Sequence, residues 1–216
     1  MPDRSGLLHT SMENANPSRS DRRRQILEAA ERLFAKAGYR GTTMEDVARE
    51  VGFTQPALYR YFSSKRELFL AALSLRQDDI RDRYQQALAG PSPALEKLRS
   101  LARTTVELAN ENPDMGRLRL QAIAEADELD IRDEVRETVD ALLRGHEALF
   151  ERAREEGSVH AGVDAGAAAS GLTGMAILMY ASIALDLPMA KPDAALAMAD
   201  RFLECFESSS SLAQRG

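Results

Sequence analysis

The sequence predicts an all-α protein, with an N-terminal three-helix head containing a helix-turn-helix and a larger C-terminal helical bundle. Three observations carry that prediction. Apolar residues recur at helical spacing in segment after segment, and nowhere do they alternate with the period of a strand. Helix stop and start residues, among them Gly38, Gly52, Gly90-Pro91, Pro113, Pro188 and Pro192, divide those segments. Between Thr42 and Lys65 two short apolar-striped segments flank a sharp turn with a glycine, the pattern of a helix-turn-helix.

The elements follow in order. Residues 1–19 are polar and aperiodic and read as a disordered arm, as does the tail 209–216. The head spans 20–66 and the body 67–208. Arg22, Arg23 and Arg24 open the first helix, where cations oppose the macrodipole. A phosphate backbone near Arg22 would compensate. Ile26, Ala30, Leu33, Phe34 and Ala37 form that helix's stripe, and Gly38 ends it. Thr43 to Asp46 has the form of a capping box. Met44, Val47, Ala48 and Val51 stripe the second helix, and Gly52 stops it. Thr54 caps the third, and Pro56 falls in its first turn, where a missing N–H costs little. A connector helix runs from Ser64 to Gly90 without a breaker, with Leu75 and Ile80 packing on the body. Further helices are expected over 93–112, from Pro113, over 131–156, over 165–187 and over 192–207, with an acidic corner from Glu125 to Asp130. Residues 165–185 carry no charge, but their Ala, Gly, Ser and Thr content reads as a buried bundle helix rather than a membrane span. Gly166, Ser170 and Gly174 suggest a close helix approach there. The helix over 192–207 is apolar on two sides, which burial by its own subunit and by a symmetric partner would satisfy.

The run from Gly52 to Phe62, followed by Ser64, Lys65, Arg66, Glu67 and Leu68, resembles the DNA-binding signature of TetR-type transcriptional regulators. The stretch from Ile26 to Thr43 is similar to their first helix. The likeness covers roughly residues 20 to 70; beyond it only helical pattern and length agree. Pro56 stands where the family often has glycine, and Phe53 where it often has valine. The resemblance implies phosphate contacts at Thr43, Thr54, Tyr59, Tyr61 and Lys65. It also implies a homodimer through the last two helices, a near-palindromic double-stranded DNA operator and a small-molecule ligand in the body. Gln55 and Arg60 have the chemistry of base readers, since Gln pairs adenine and Arg pairs guanine bidentately. Pro56 alters what the start of the recognition helix offers to DNA.

For a ligand, the candidates are polar residues on apolar stripes, Thr105, His146 and Tyr180, with Met115, Phe150, Met175 and Met179 as apolar lining. Each taken singly reads more simply as core. Charge supports the two-part reading. Residues 1–70 carry 12 Lys/Arg against 9 Asp/Glu, and residues 71–216 carry 16 against 25, so a basic head sits on an acidic body. Cys205 is the single cysteine, which excludes an intrachain disulfide and suits the cytoplasm. No secretory signal is expected. His9, His146 and His160 lack metal spacing, and no catalytic constellation or cofactor loop is present, so no metal, cofactor or catalysis is expected. Two rivals are a regulator of this fold without a small-molecule effector, and an all-α enzyme or lipid carrier.

Overall fold

The computed structural model describes residues 18–208, so the expected arm, apart from Ser18 and Arg19, and the expected tail lie outside the described residues. The helices are α1 (Arg19–Gly41), α2 (Met44–Glu50), α3 (Gln55–Tyr59), α4 (Lys65–Leu73), α5 (Gln77–Leu88), α6 (Ala94–Glu111), α7 (Pro113–Ala124), α8 (Arg132–Glu155), α9 (Ala165–Ala184) and α10 (Pro192–Glu204). A 3-10 turn, Pro188–Ala190, precedes α10. Among the described residues the only β pairing is an isolated bridge between Val159 and Glu207.

The head folds as its local chemistry dictates. Ser18 and Asp21 form a capping box on α1, and Thr43 and Asp46 form one on α2. Gly38 breaks α1 near its end with φ +80°. Thr42 is buried, and its hydroxyl is shared between the carbonyls of Gly38 and Leu33. Gly52 takes φ +71°, a left-handed conformation that costs glycine little, and Phe53 N–H then donates to Ala48 O at 2.7 Å. Ile26, Phe34, Val47, Leu58, Phe62, Leu68 and Phe69 fuse α1 to α4 into one core. Phe34 and Phe69 meet edge to face at 5.1 Å.

That core does not stop at the head. Leu118 and Ala122 of α7, Leu129 of the acidic corner and Ile131 at the start of α8 are buried in it. Gln121 donates to Phe34 O at 2.8 Å, and Arg66 donates to Leu129 O at 2.6 Å and Asp130 O at 3.1 Å. α7 is therefore the main bridge, with Met115 at its other end packed in a body cluster beside Met179 and Tyr180.

The connector is two helices rather than one. Ser74 ends α4, and α5 starts after Arg76. No glycine or proline marks the break. Arg76 instead leaves helical geometry and reaches Glu31 of α1, with Nε to Oε1 at 3.3 Å and Nη2 to Oε2 at 3.1 Å. A charged pair on a buried partner fixes the joint where periodicity alone predicts continuity.

The body has two cores. Leu95, Leu98, Phe150, Val159, Leu172 and Leu203 fill one, and Ile80, Val106, Met115, Met179 and Tyr180 fill the other. α9 is long and apolar enough to cross a membrane by length and composition, but its Leu172 and Met179 are spent on these cores. The close approach along α9 is at Gly171, not in the expected row. A Cβ added at Gly171 would lie 2.6 Å from the Phe202 ring. Ser170 and Gly174 face outward. Phe202 therefore packs within its own chain, against Gly171 and Phe206. Gly171→Leu should destabilise the fold by about 1–3 kcal/mol through overpacking. Urea denaturation monitored by circular dichroism checks this.

Candidate nucleic-acid interface and body cavity

At the head, α3 presents Gln55, Pro56, Tyr59 and Arg60 on an exposed face, while Leu58 on its other side is fully buried. Tyr59 is 47% exposed, so about half of it is open to a partner. Arg60 sits at the C-cap of this five-residue helix. Thr54 Oγ1 accepts from Ala57 N–H at 3.3 Å, leaving its hydroxyl proton available to a phosphate oxygen. Pro56 brings no N–H, so the first turn of α3 offers outward only the Gln55 amide.

Other expected contacts are already engaged. Thr43 Oγ1 donates to Asp46 Oδ2 at 2.6 Å, so its single proton is committed to the capping box. Lys65 Nζ donates to Thr42 O at 3.1 Å and lies 4.3 Å from the centre of the Tyr39 ring. It holds the α1–α2 joint in this state and has two more protons to offer outward. Tyr61 is half-buried beside Phe53. The arginines at the start of α1 find compensation inside the chain. Arg19 lies over Tyr61, Arg22 over Phe53 and Arg23 over Phe62, and Arg24 pairs with Glu28. The macrodipole conflict is therefore met by ring faces and an acid, with Asp21 in the same turn. The rings also hold these cations beside the α3 face.

In the body, a cavity of about 40 Å³ lies between α6, α8, α9 and α10. Thr105, His146, Met175 and Met179 line it, joined by Met198, which lies on one of the two apolar sides expected of the last helix. Three expected residues stand elsewhere. Phe150 is fully buried in the other core, in edge-to-face contact with Phe206. Met115 and Tyr180 pack beside the cavity without lining it. Tyr180 lies against Gly116 of α7, and its hydroxyl accepts from Arg119 at 3.2 Å. Phe150 shares α8 with His146 and Tyr180 shares α9 with Met175 and Met179, whereas Met115 lies on α7, which lends the cavity no wall; an apolar stripe says that a side chain points inward but not to which of two cores.

The polar groups of the cavity are partnered across helices. Thr105 donates to Leu101 O at 2.8 Å, so the 2.9 Å contact with Tyr84 is donated by the Tyr84 hydroxyl. Tyr84, on α5, was missed because its neighbours are charged; only its spacing from Ile80 signals an inward side. His146 Nδ1 is 2.9 Å from Thr173 Oγ1. Burial pushes the His146 imidazole below its ordinary value. The unfolded chain takes this proton at about pH 6.5, while the native state resists it. The native state thus binds fewer protons below that pH, and stability falls as pH drops through it. Melting temperatures from about pH 8 to about pH 5.5 should fall more steeply for the parent than for His146→Gln.

Comparisons with known proteins agree with this architecture. The profile of the family described as bacterial regulatory proteins, tetR family, matches residues 26–72. The HTH-type transcriptional activator FasR of Mycolicibacterium smegmatis is 38% identical over 82 residues, which is 38% of this chain. The match spans only 37% of that relative's length. Among solved structures, a regulator from Saccharomonospora viridis in complex with choline superposes with a TM-score of 0.76 at 24% identity, over 86% of this chain and 96% of that one. AibR in complex with isovaleryl coenzyme A and operator DNA gives 0.69 at 23% identity, over 86% of this chain and 98% of that one. At such identities the structural likenesses carry the fold.

Proposed function

The chain belongs to the TetR family of bacterial regulatory proteins, transcription factors rather than enzymes, and we propose that it is a cytoplasmic homodimeric repressor released from a near-palindromic operator by a small, largely apolar ligand. The observation that carries the DNA half is the exposed row Gln55, Pro56, Tyr59 and Arg60 on α3, seated on a buried Leu58. Hydroxyls at Thr54 and Tyr59 and the cations Arg22 and Lys65 supply phosphate grip, which fixes register without reading sequence. Gln55 and Arg60 supply base contact. The operator is selected from randomised duplexes, and variants are then measured on it. Tyr59→Phe should weaken binding about equally on all sequences. Gln55→Ala or Arg60→Ala should relax preference at one base pair by about 1–3 kcal/mol. A reporter driven by the selected operator tests the sign of regulation, and rising expression in the presence of the protein would make it an activator.

The cavity among α6, α8, α9 and α10 supports the ligand half. Switching is read through α7 and α5, not through one continuous connector. α7 has Met115 beside the cavity and Leu118 in the head core. α5 is held to the cavity wall by Tyr84 and Thr105, and its preceding residue Arg76 is held to the head by Glu31. A ligand that moves Met179 or Thr105 therefore acts on both bridges. It must favour the DNA-incompetent dimer, since equal affinity for both states shifts nothing. Reciprocity requires operator DNA to weaken ligand binding by the same factor. A cavity that binds nothing would favour a regulator of this fold without a small-molecule effector.

A further inference from the structure

We propose that the molecule taken up by the body cavity is uncharged and carries an oxygen acceptor, such as a ketone carbonyl, that receives a hydrogen bond from Nε2–H of His146. This rests on the reading of the cavity as the ligand site and names the class of ligand.

The tautomer follows from the neighbours. Thr173 is 3% exposed, and its hydroxyl lies 2.9 Å from His146 Nδ1. The hydroxyls of Thr105, Ser170 and Ser182 each donate to a carbonyl one helical turn back, but Thr173 makes its contact with the histidine. A buried hydroxyl proton needs an acceptor, and Nδ1 is the one within reach. Nδ1 is then unprotonated, and the ring proton of a neutral imidazole sits on Nε2. Burial keeps the ring neutral.

The rest of the lining offers no competing donor. Thr105 spends its proton on Leu101 O. The remaining lining residues are Ala, Val, Leu and Met, and none is charged. A wall with one neutral donor and no charge selects an acceptor. A carboxylate would lose its hydration for a single hydrogen bond, and an ammonium would meet a donor where it needs acceptors. The volume of about 40 Å³ suits only a few heavy atoms. Met175, Met179 and Met198 are unbranched and can rotate to enlarge it for a longer apolar tail.

The test uses the full chain and calorimetric titration with straight-chain 2-ketones of about six to nine carbons, a chain length set by the flexible methionine lining. Carboxylates and primary amines of the same lengths are titrated alongside. We expect the tightest ketone to bind at least about tenfold better than its carboxylate and amine counterparts. His146→Phe should abolish that preference. Nitrogen-detected NMR of the unliganded protein should show His146 neutral with its proton on Nε2. A carboxylate or amine that outbinds the ketone, a preference that survives His146→Phe, or a proton on Nδ1 overturns the ligand class and leaves the cavity as the ligand site. Failure of all three series overturns both.

Discussion

Arg76→Ala is expected to lower the unfolding free energy by about 3 kcal/mol, at the lower end of what breaking a buried ion pair costs. The reason lies in the partner rather than in Arg76. Glu31 is 4% exposed, on the inner side of α1 between Leu27 and Ala35, which are themselves buried. Its carboxylate accepts both hydrogen bonds of the Arg76 guanidinium. Removing the cation strands a charge away from water. Arg76 itself is about a third exposed, so water entering its place limits the loss. The paired change Glu31→Gln with Arg76→Leu removes both charges and should recover most of the stability. Urea unfolding with unchanged m values measures both. An Arg76→Ala protein as stable as the parent would mean that the pair does not hold the α4–α5 joint.

The head was legible in the sequence because its rules are local. Capping at Thr43 and Thr54, the left-handed turn at Gly52 and the proline in the first turn of α3 each act over three or four residues. The body depends on contacts that no local pattern encodes. The α4–α5 break at Ser74–Arg76 follows from an ion pair 45 residues apart in sequence, between Glu31 and Arg76. The role of α7 as a bridge follows from Leu118 and Met115 falling in different cores. The stripes picked out Thr105, His146, Met175 and Met179, which line the cavity, but they could not separate Phe150, which serves the neighbouring core. Tyr84 and Thr173, which fix the hydrogen bonding of the cavity, are ordinary residues until their helices are packed.

The second large effect is expected at assembly. Leu178→Arg should convert the protein to a folded monomer and weaken binding to a full palindromic operator by about 10²–10⁴-fold. α9 carries an outward row of Ser170, Gly174 and Leu178, and Leu185 follows at its C-cap, with Leu178 46% and Leu185 69% exposed in the single chain. A Cβ at Gly174 would touch nothing, so the row is open to a second copy at close range. A two-fold axis near this row would pair α9 and α10 of one protomer with those of its partner and set both α3 helices on one face. Half-sites would then lie one helical turn apart, about 34–36 Å. Linking two heads makes the second half-site contact intramolecular, which is the origin of the affinity that a monomer loses. A buried, unpaired arginine cannot be tolerated at that axis, yet in the monomer it points to water. The fold should therefore survive, unlike Phe202→Asp, which puts a charge against Gly171 inside the chain. Sedimentation velocity and gel-shift titration on full and half operators separate the outcomes. A Leu178→Arg protein that stays dimeric and binds the full site like the parent would place the interface elsewhere.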